Sequence, residues 1–421
     1  MLHYINTSYK PGAKDLVAEF YVEPARGVSL EKAAENVALE SSIGTWTTIS
    51  TMNPRVAKQL KPSVYYIKDN IIRVAYPEKL FEPGNVSQIL SSIAGNIYGM
   101  KIVKNLKLLD LHFPGSFMRQ HKGPLFGVKG IRKLTGVRKR PLVGTIVKPK
   151  VGLTPKQHAK VAYDAWSGGL DVVKDDENLA SMPFNKFRER VIETVKLKNK
   201  AEQETGEKKI YMPNITAETL EMIKRAEFVK EQGNEYMMID ILTVGWAALQ
   251  TMRIKNEELG LVIHAHRAMH AALTRNPKHG MSMLVIAKLA RLVGVDQLHI
   301  GTAAIGKMYG SKDEELDIER EVEDSKVNEH GIVLEQSWPG IKPILAVASG
   351  GLSPLSTPKL IETMGTNIVA QYGGGCHGHP DGTLAGARAI RQSLDASMKS
   401  ISLKKYANNH PELKRAIEKW G

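Results

Sequence analysis

The stretch GLDVVKDDE, residues 169–177, decides the fold and points to the chemistry. Residues 170–173 read as a short buried strand. Four charged residues, Lys174, Asp175, Asp176 and Glu177, follow with no spacer. Side chains alternate across a strand, so Lys174 and Asp176 should share a face, Asp175 should turn away and Glu177 should open the next loop. Two carboxylates at one strand end make a hard, oxygen-rich site suited to Mg²⁺. A lysine cannot ligate a metal as an ammonium, but a carbamate formed with CO₂ would make it an anionic oxygen donor. Taken alone, the run is better read as a salt-bridged surface turn. Its surroundings reverse that.

Working outward, short apolar strands alternate with amphipathic helices from residue 142 onward. Strands are expected at 144–148, 170–173, 210–214, 236–240, 261–264, 297–300, 344–348 and 367–371. Helices are expected at 155–167, 183–205, 218–232, 281–293, 357–364 and 383–399, with a helical tail at 401–421. Eight such units in about 260 residues predict an α/β fold, a (β/α)8 TIM barrel over 123–421. A connecting helix is expected at 127–134. Residues 1–122 read as an N-terminal α+β domain of ferredoxin-like pattern. Its strands are expected at 15–22, 45–51, 65–76 and 101–113, and its helices at 29–39, with Ser29 as N-cap, and 86–94.

Barrel chemistry sits at the C-terminal strand ends, and the unusual polar residues fall there. The first strand ends in Lys148 and Lys150, and the second in the KDDE run. The fifth ends in His264-Ala-His266-Arg267, and the sixth in His299, followed by a loop to Lys307. Ser349-Gly350-Gly351 and Gln371-Tyr-Gly373-Gly374-Gly375 close the seventh and eighth. Each motif has a plainer reading: glycine runs as tight turns, strand-end histidines as hydrogen-bonded structure, lysines as solvated surface. His-x-His could also bind zinc, but it follows the fifth strand rather than the first. Glycine-rich loops after the last two strands are where barrels commonly bind phosphate. Six placements agreeing outweigh each plain reading. Together they suggest a hard metal, two phosphate pockets and several cationic acids, able to stabilise an enediolate and move protons.

Composition narrows the class. The chain of 421 residues has a single cysteine, Cys376, which excludes an internal disulfide and leads us to expect a cytoplasmic protein. No apolar run approaches the roughly 18–20 residues of a membrane span. The net charge of +14 and pI near 9.5 fit an anionic substrate better than nucleic acid, since the basic cluster at 129–140 lacks interleaved aromatics.

These motifs resemble the large subunit of ribulose-1,5-bisphosphate carboxylase/oxygenase (Rubisco), nearly end to end. GTIVKPKVGL, GGLDVVKDDE, HAHRAMHAA, the 299–307 loop, ASGGL and YGGGCHGHPDG come in family order, and ESSIGTWTT, YMPNIT and DQLHIGT resemble the archaeal form III and methanogen-type enzymes. The resemblance implies that Lys174 is carbamylated by an activator CO₂ and, with Asp176 and Glu177, holds Mg²⁺ while the carbamate takes the C3 proton. It implies that Lys148 protonates the product carbanion beside Lys150, that His266 assists proton transfer, and that Lys307 closes over the site. Arg267, His299 and Ser349 would hold one phosphate or its neighbouring hydroxyl. Gly351, Gly373 and Gly374 would hold the other, with Gly350 and Gln371 also on the substrate side. Glu40, Thr45, Trp46 and Asn96 match positions that complete a partner's site, which implies an obligate homodimer, with assemblies of dimers open and no small subunit. Its substrates would be ribulose-1,5-bisphosphate with CO₂ or O₂, and neither nucleic acid nor a membrane is expected as a partner.

Some positions depart from the family pattern. The loop GTAAIGK at 301–307 is longer than the plant type, Tyr309 stands where many members carry glutamate, and Ile146 and Cys376 stand where plant-type members carry threonine. They bear on loop closure and CO₂/O₂ discrimination. Two alternatives stay open: a Rubisco-like enolase or isomerase of methionine-salvage sugar phosphates, and a non-catalytic scaffold suggested only by charge.

Overall fold

The computed structural model describes residues 3–421 and resolves into two compact units. One unit comprises Pro124–Ala268, Val295–Glu323 and Pro343–Gly421. It carries eight parallel strands: Leu142–Ile146, Val172–Lys174, Ile210–Met212, Tyr236–Asp240, Val262–His266, Gln297–His299, Leu345–Ser349 and Ile368–Gln371. In space the order runs third, second, first, eighth, seventh, sixth, fifth, fourth. The third and fourth then meet at the Asn214–Met238 bridge, where the Met238 N–H donates to the Pro213 carbonyl at 2.9 Å. The barrel is thereby closed except for this thinner seam.

Its lower core is built from strand beginnings. Leu142, Val172, Ile210, Tyr236, Val262 and Leu345 pack together with Ile131 of the connecting helix Gly127–Thr135. That helix plugs the N-terminal mouth, with Phe126, Val128, Leu134 and Val137 packed partly buried around it. Burying each such aliphatic side chain favours the folded state by about 1.5–3 kcal/mol. Gly144 is needed between the first two strands, because a Cβ there would lie 2.6 Å from the Val172 carbonyl oxygen. Between strands, helix Pro155–Ser167 starts from a capping box formed by Thr154 and Gln157.

The other unit comprises the chain up to Gly123 with Met269–Gly294 and Asp324–Lys342. Four antiparallel strands lie in the order Val103–His112, Asp15–Pro24, Ile71–Pro77, Ser63–Lys68. Helices Leu30–Glu40 and Val86–Ile93 connect them as in a ferredoxin-like fold, burying Ala33, Ala34, Val37 and Ala38 from the first and Val86, Ile89 and Ile93 from the second. Ser29 caps the first helix, accepting the Lys32 N–H. A short fifth strand, Gly280–Met281, pairs in parallel with Lys107 and Leu108. Asp110 and Lys288 form a wholly buried ion pair at 2.8 Å, and Asp110 also accepts the Leu334 N–H.

Several expected elements change. Residues 45–51 form no strand; their β-branched side chains have no neighbouring strand to pair with, and Thr45, Thr47, Thr48 and Ile49 instead line a small cavity of about 60 Å³ with Tyr4 and Leu39. The single strand expected at 65–76 is a hairpin, reversed at Asp69 and Asn70, whose φ values of 50° and 66° suit a tight turn. The fifth barrel strand runs on to His266, and the helix expected from 183 begins at Phe187. After the fourth strand comes helix Ile241–Leu259, kinked at Gly245. Among the described residues, no helix is long and apolar enough to cross a membrane.

Candidate active site

The KDDE run leaves its strand as alternation requires. Lys174 is buried, and its ammonium donates to the Asp175 carbonyl at 2.8 Å, with Glu177 Oε2 at 3.6 Å. Burial pushes the Lys174 pKa down, against the pull of Glu177, Asp176 and Asp240. Asp176 accepts the Lys148 ammonium at 2.5 Å, and Lys150 lies 3.8 Å from Glu177. Burial would raise the Glu177 carboxyl, yet the charges of Lys174 and His266 hold it at about 2.

Asp175 faces the opposite way. Its carboxylate meets Arg190 Nε at 3.0 Å, the Tyr211 hydroxyl at 2.8 Å, the Asn214 N–H at 3.0 Å and His158 Nε2 at 3.0 Å. This knot fixes the backbone from which Lys174 and Asp176 project. Asn214 also reaches the Glu177 carbonyl with its side-chain amide at 3.2 Å.

Histidines connect the acidic end to the sixth and seventh strands. His266 Nδ1 pairs with Asp240 at 2.8 Å, leaving Nε2 3.7 Å from Glu177. Its ring lies 4.8 Å from that of His299. Burial, and then the Lys174 charge, lowers the His264 pKa to about 3, and burial likewise depresses His299 well below its ordinary value. Both are therefore neutral near pH 7, and one proton order satisfies their contacts. His264 Nδ1–H donates to Gln297 Oε1 at 2.8 Å, His299 Nε2–H donates to His264 Nε2 at 2.8 Å, and the Ser349 hydroxyl donates to His299 Nδ1 at 2.6 Å. With its proton given to His299, Ser349 Oγ can act toward any further partner only as an acceptor.

The glycine loops lie alongside. The Lys307 N–H donates to the Gly350 carbonyl at 2.8 Å, and a Cβ on Gly351 would fall 2.7 Å from Lys307 Cβ. Lys307 itself is exposed. Gly373 flanks Lys148, whose Cε would lie 3.6 Å from a Cβ there, and Gly374 follows at the start of a short helix. Gln371 pairs in register with Ser349; it is 1% exposed, and neither side-chain polar atom has a hydrogen-bond partner among the described residues. A buried amide with nothing to bond suits a site that a polar ligand completes. Arg267 follows His266; burial lowers its pKa to about 10, against the opposing charges of Glu315 and Glu314.

The structure thus gathers Lys148, Lys150, Lys174, Asp176, Glu177, His266, His299 and Ser349 at neighbouring strand ends, Lys148 bonded to Asp176 and the rest in contact from Lys174 and Lys150 through Glu177 and His266 to His299 and Ser349, with Gln371 and Gly373 adjoining and the Lys307 backbone resting on Gly350. Glu40, Thr45, Trp46 and Asn96 belong to the other unit and are not part of this set: Glu40 ends helix Leu30–Glu40, Trp46 is 86% exposed in the 44–52 loop, and Asn96 opens a single 3₁₀ turn. Among the described residues no group of three or more His, Cys, Asp or Glu side chains is gathered for a metal. Sequence reasoning passed over Asp240, Asn214, Arg190 and Glu315. Asp240 offered a signal, a lone acid ending an apolar strand, whereas Arg190 and Glu315 sit in charged helix stretches that look like solvated surface.

Family models describe the same chain in two parts. Residues 127–420 match the catalytic domain of the ribulose bisphosphate carboxylase large chain, and residues 3–117 match its N-terminal domain. The ribulose bisphosphate carboxylase of Methanosarcina barkeri is 54% identical over 99% of this chain and 98% of its own length. That of Pyrococcus abyssi is 49% identical, over 100% and 96% respectively. Among solved structures, a dimeric archaeal Rubisco from Hyperthermus butylicus superposes with a TM-score of 0.94 at 48% identity, covering 99% of this chain and 98% of that one. An octameric Rubisco from Pyrococcus horikoshii, in complex with sulfate, gives 0.92 at 47%, covering 99% and 96%. The chain therefore belongs to the ribulose bisphosphate carboxylase large-chain family and groups with its archaeal members.

Proposed function

We propose that this chain is a ribulose bisphosphate carboxylase, adding CO₂ to the enediolate of ribulose-1,5-bisphosphate to give two molecules of 3-phosphoglycerate, with O₂ as the competing electrophile. The observation that carries this reading is the pair of contacts Lys148–Asp176 and Lys174–Glu177–His266, both built on the one KDDE strand end, in a chain about half identical to named carboxylases.

Asp176 and Glu177 offer two hard oxygen donors, and Lys174 offers the third once its amine has taken up CO₂ as a carbamate. Burial of Lys174 favours the neutral amine, which is the form that reacts. The donor set then suits Mg²⁺, which when bound would supply charge stabilisation to the developing enediolate oxygens. Lys174, so modified, would hold the base that takes the C3 proton. His266, with Nδ1 tied to Asp240, exchanges protons through Nε2. Lys148 delivers the final proton to the product carbanion, with Lys150 beside it.

Binding follows from the rest. Arg267 takes one phosphate. Ser349 Oγ, already donating to His299, accepts from a neighbouring substrate hydroxyl. Gly351, Gly373 and Gly374 approach the other phosphate, and Gln371 satisfies its amide on the substrate. Lys307 closes over CO₂. Functional labour divides between residues 1–122 and 123–421: Glu40, Thr45, Trp46 and Asn96 complete the site of a second copy, so the active assembly is a cytoplasmic homodimer or a set of such dimers.

The test is fixation of labelled CO₂ into 3-phosphoglycerate with ribulose-1,5-bisphosphate and Mg²⁺, with Lys174→Ala and Lys307→Ala alongside. Label that both substitutions abolish is the expected result. Absence of label while the bisphosphate still binds would overturn the reading in favour of a sugar-phosphate enolase or isomerase.

A further inference from the structure

Helix Lys312–Glu323 opens with three acids, Asp313, Glu314 and Glu315. The first two are exposed, as expected of acids that merely favour a helix N-terminus. Glu315 is buried, and it is turned back into the loop that carries Lys307. Its Oε2 accepts the Thr302 N–H at 2.8 Å and the Ala304 N–H at 3.3 Å. Ala303 and Ala304 have φ values of 49° and 61°, a left-handed pair that alanine adopts only at a cost of about 1–2 kcal/mol each. The strain aims successive amides at one anion. Glycines stand against the same carboxyl at both ends of the loop: a Cβ on Gly301 would fall 2.1 Å from Glu315 Cδ, and one on Gly310 would fall 1.9 Å from Oε1. Between these ends, Thr302 Oγ1 accepts the Gly306 N–H at 2.9 Å, and the Lys307 backbone rests on Gly350.

We propose that Glu315 is a positioning residue whose carboxylate pins both ends of the 301–310 loop, and so sets where Lys307 stands over the substrate. Its kinetic consequence rests on the carboxylase reading; its structural consequence does not. The test therefore has two arms on the full-length protein, with Glu315→Ala, Glu315→Gln and Gly310→Ala. In the first arm, tryptic cleavage at Lys307 and Lys312 is timed without substrate. Glu315→Ala and Gly310→Ala should each speed it about tenfold, while Glu315→Gln, whose amide oxygen still accepts N–H groups, should stay near the parent. In the second arm, Glu315→Ala should lower carboxylation turnover about tenfold and alter the CO₂/O₂ partition, with the thermal midpoint unchanged. Glu315→Gln should restore most of the turnover. Parent-like cleavage of Glu315→Ala, or an unaltered partition at reduced turnover, would overturn the proposal. A parent protein that fixes no CO₂ would sink the carboxylase reading while the cleavage arm still decides the pin.

Discussion

Asp175 and Glu315 are both buried carboxylates that accept backbone N–H groups, yet they are held in opposite ways. Asp175 faces a guanidinium, a phenol and an imidazole, each within 3.0 Å. Despite burial, the Arg190 charge holds its carboxyl far below the usual range. Glu315 is bonded to loop amides, and burial pushes its carboxyl up. A carboxylate hydrogen-bonded to a buried guanidinium cannot let go without stranding a charge; Glu315, whose bonds go to amides and which feels the Arg267 guanidinium only as a more distant charge, is held less tightly. The first arrangement suits a fixed acidic strand end, and the second suits a loop that must open and close.

The largest effect that would break this contrast lies at the fixed end. Lys174→Ala should remove carboxylation by about 10³-fold or more while calorimetry still finds sugar-bisphosphate binding. Survival of a tenth of the activity would mean the strand end is not where the chemistry is organised. Next comes stability. Arg190→Met should cost about 3–5 kcal/mol in denaturant unfolding, because Asp175 is left buried and unpaired, whereas Glu315→Gln should shift it by less than about 1 kcal/mol. Similar costs for both would erase the distinction. Gln371→Leu removes two unbonded polar atoms, so it should leave stability unchanged or slightly higher while raising KM for the bisphosphate about tenfold.

The remaining effects are in pH and appear only away from neutrality. A carboxyl raised on folding adds stability at low pH and loses it as pH rises, so the stability of the parent relative to Glu315→Gln should decline as pH rises from near 4.5. Histidines lowered on folding act the other way. Burial holds His377 at about 4, so the unfolded chain takes up its proton first, and stability should fall as pH drops from 6.5 toward 4 by up to about 1.4 kcal/mol per unit for this group. His377→Gln should flatten that slope; an unchanged slope would show that burial there is incomplete.

The eight barrel strands were legible because parallel strands buried on both faces are short apolar runs, and alternation alone sends Asp175 away from Lys174 and Asp176. Strand ends were less legible: the fifth continues through His264 and His266 because polar side chains there still point into a packed interior. Residues 45–51 misled because β-branching marks a side chain that suits a sheet, not the presence of a neighbouring strand. Asp69 and Asn70 hid a turn inside an apparently continuous strand. Arg190 and Glu315 had no signal, since a charged residue on a helix reveals its burial only when the opposing element is known.

The two-residue strand Gly280–Met281 has a consequence for how the chain is made. It covers the middle of the outer edge of strand Val103–His112, at Lys107 and Leu108, and Lys288 just beyond it neutralises the buried Asp110. Both arrive after five barrel strands have been synthesised. Until then the nascent N-terminal sheet carries an open edge and an unpaired acid in its interior, the two features that most invite misassociation. Its maturation is thus timed by translation of the barrel, and a ribosome stalled before residue 288 would be left holding a sheet that cannot finish itself.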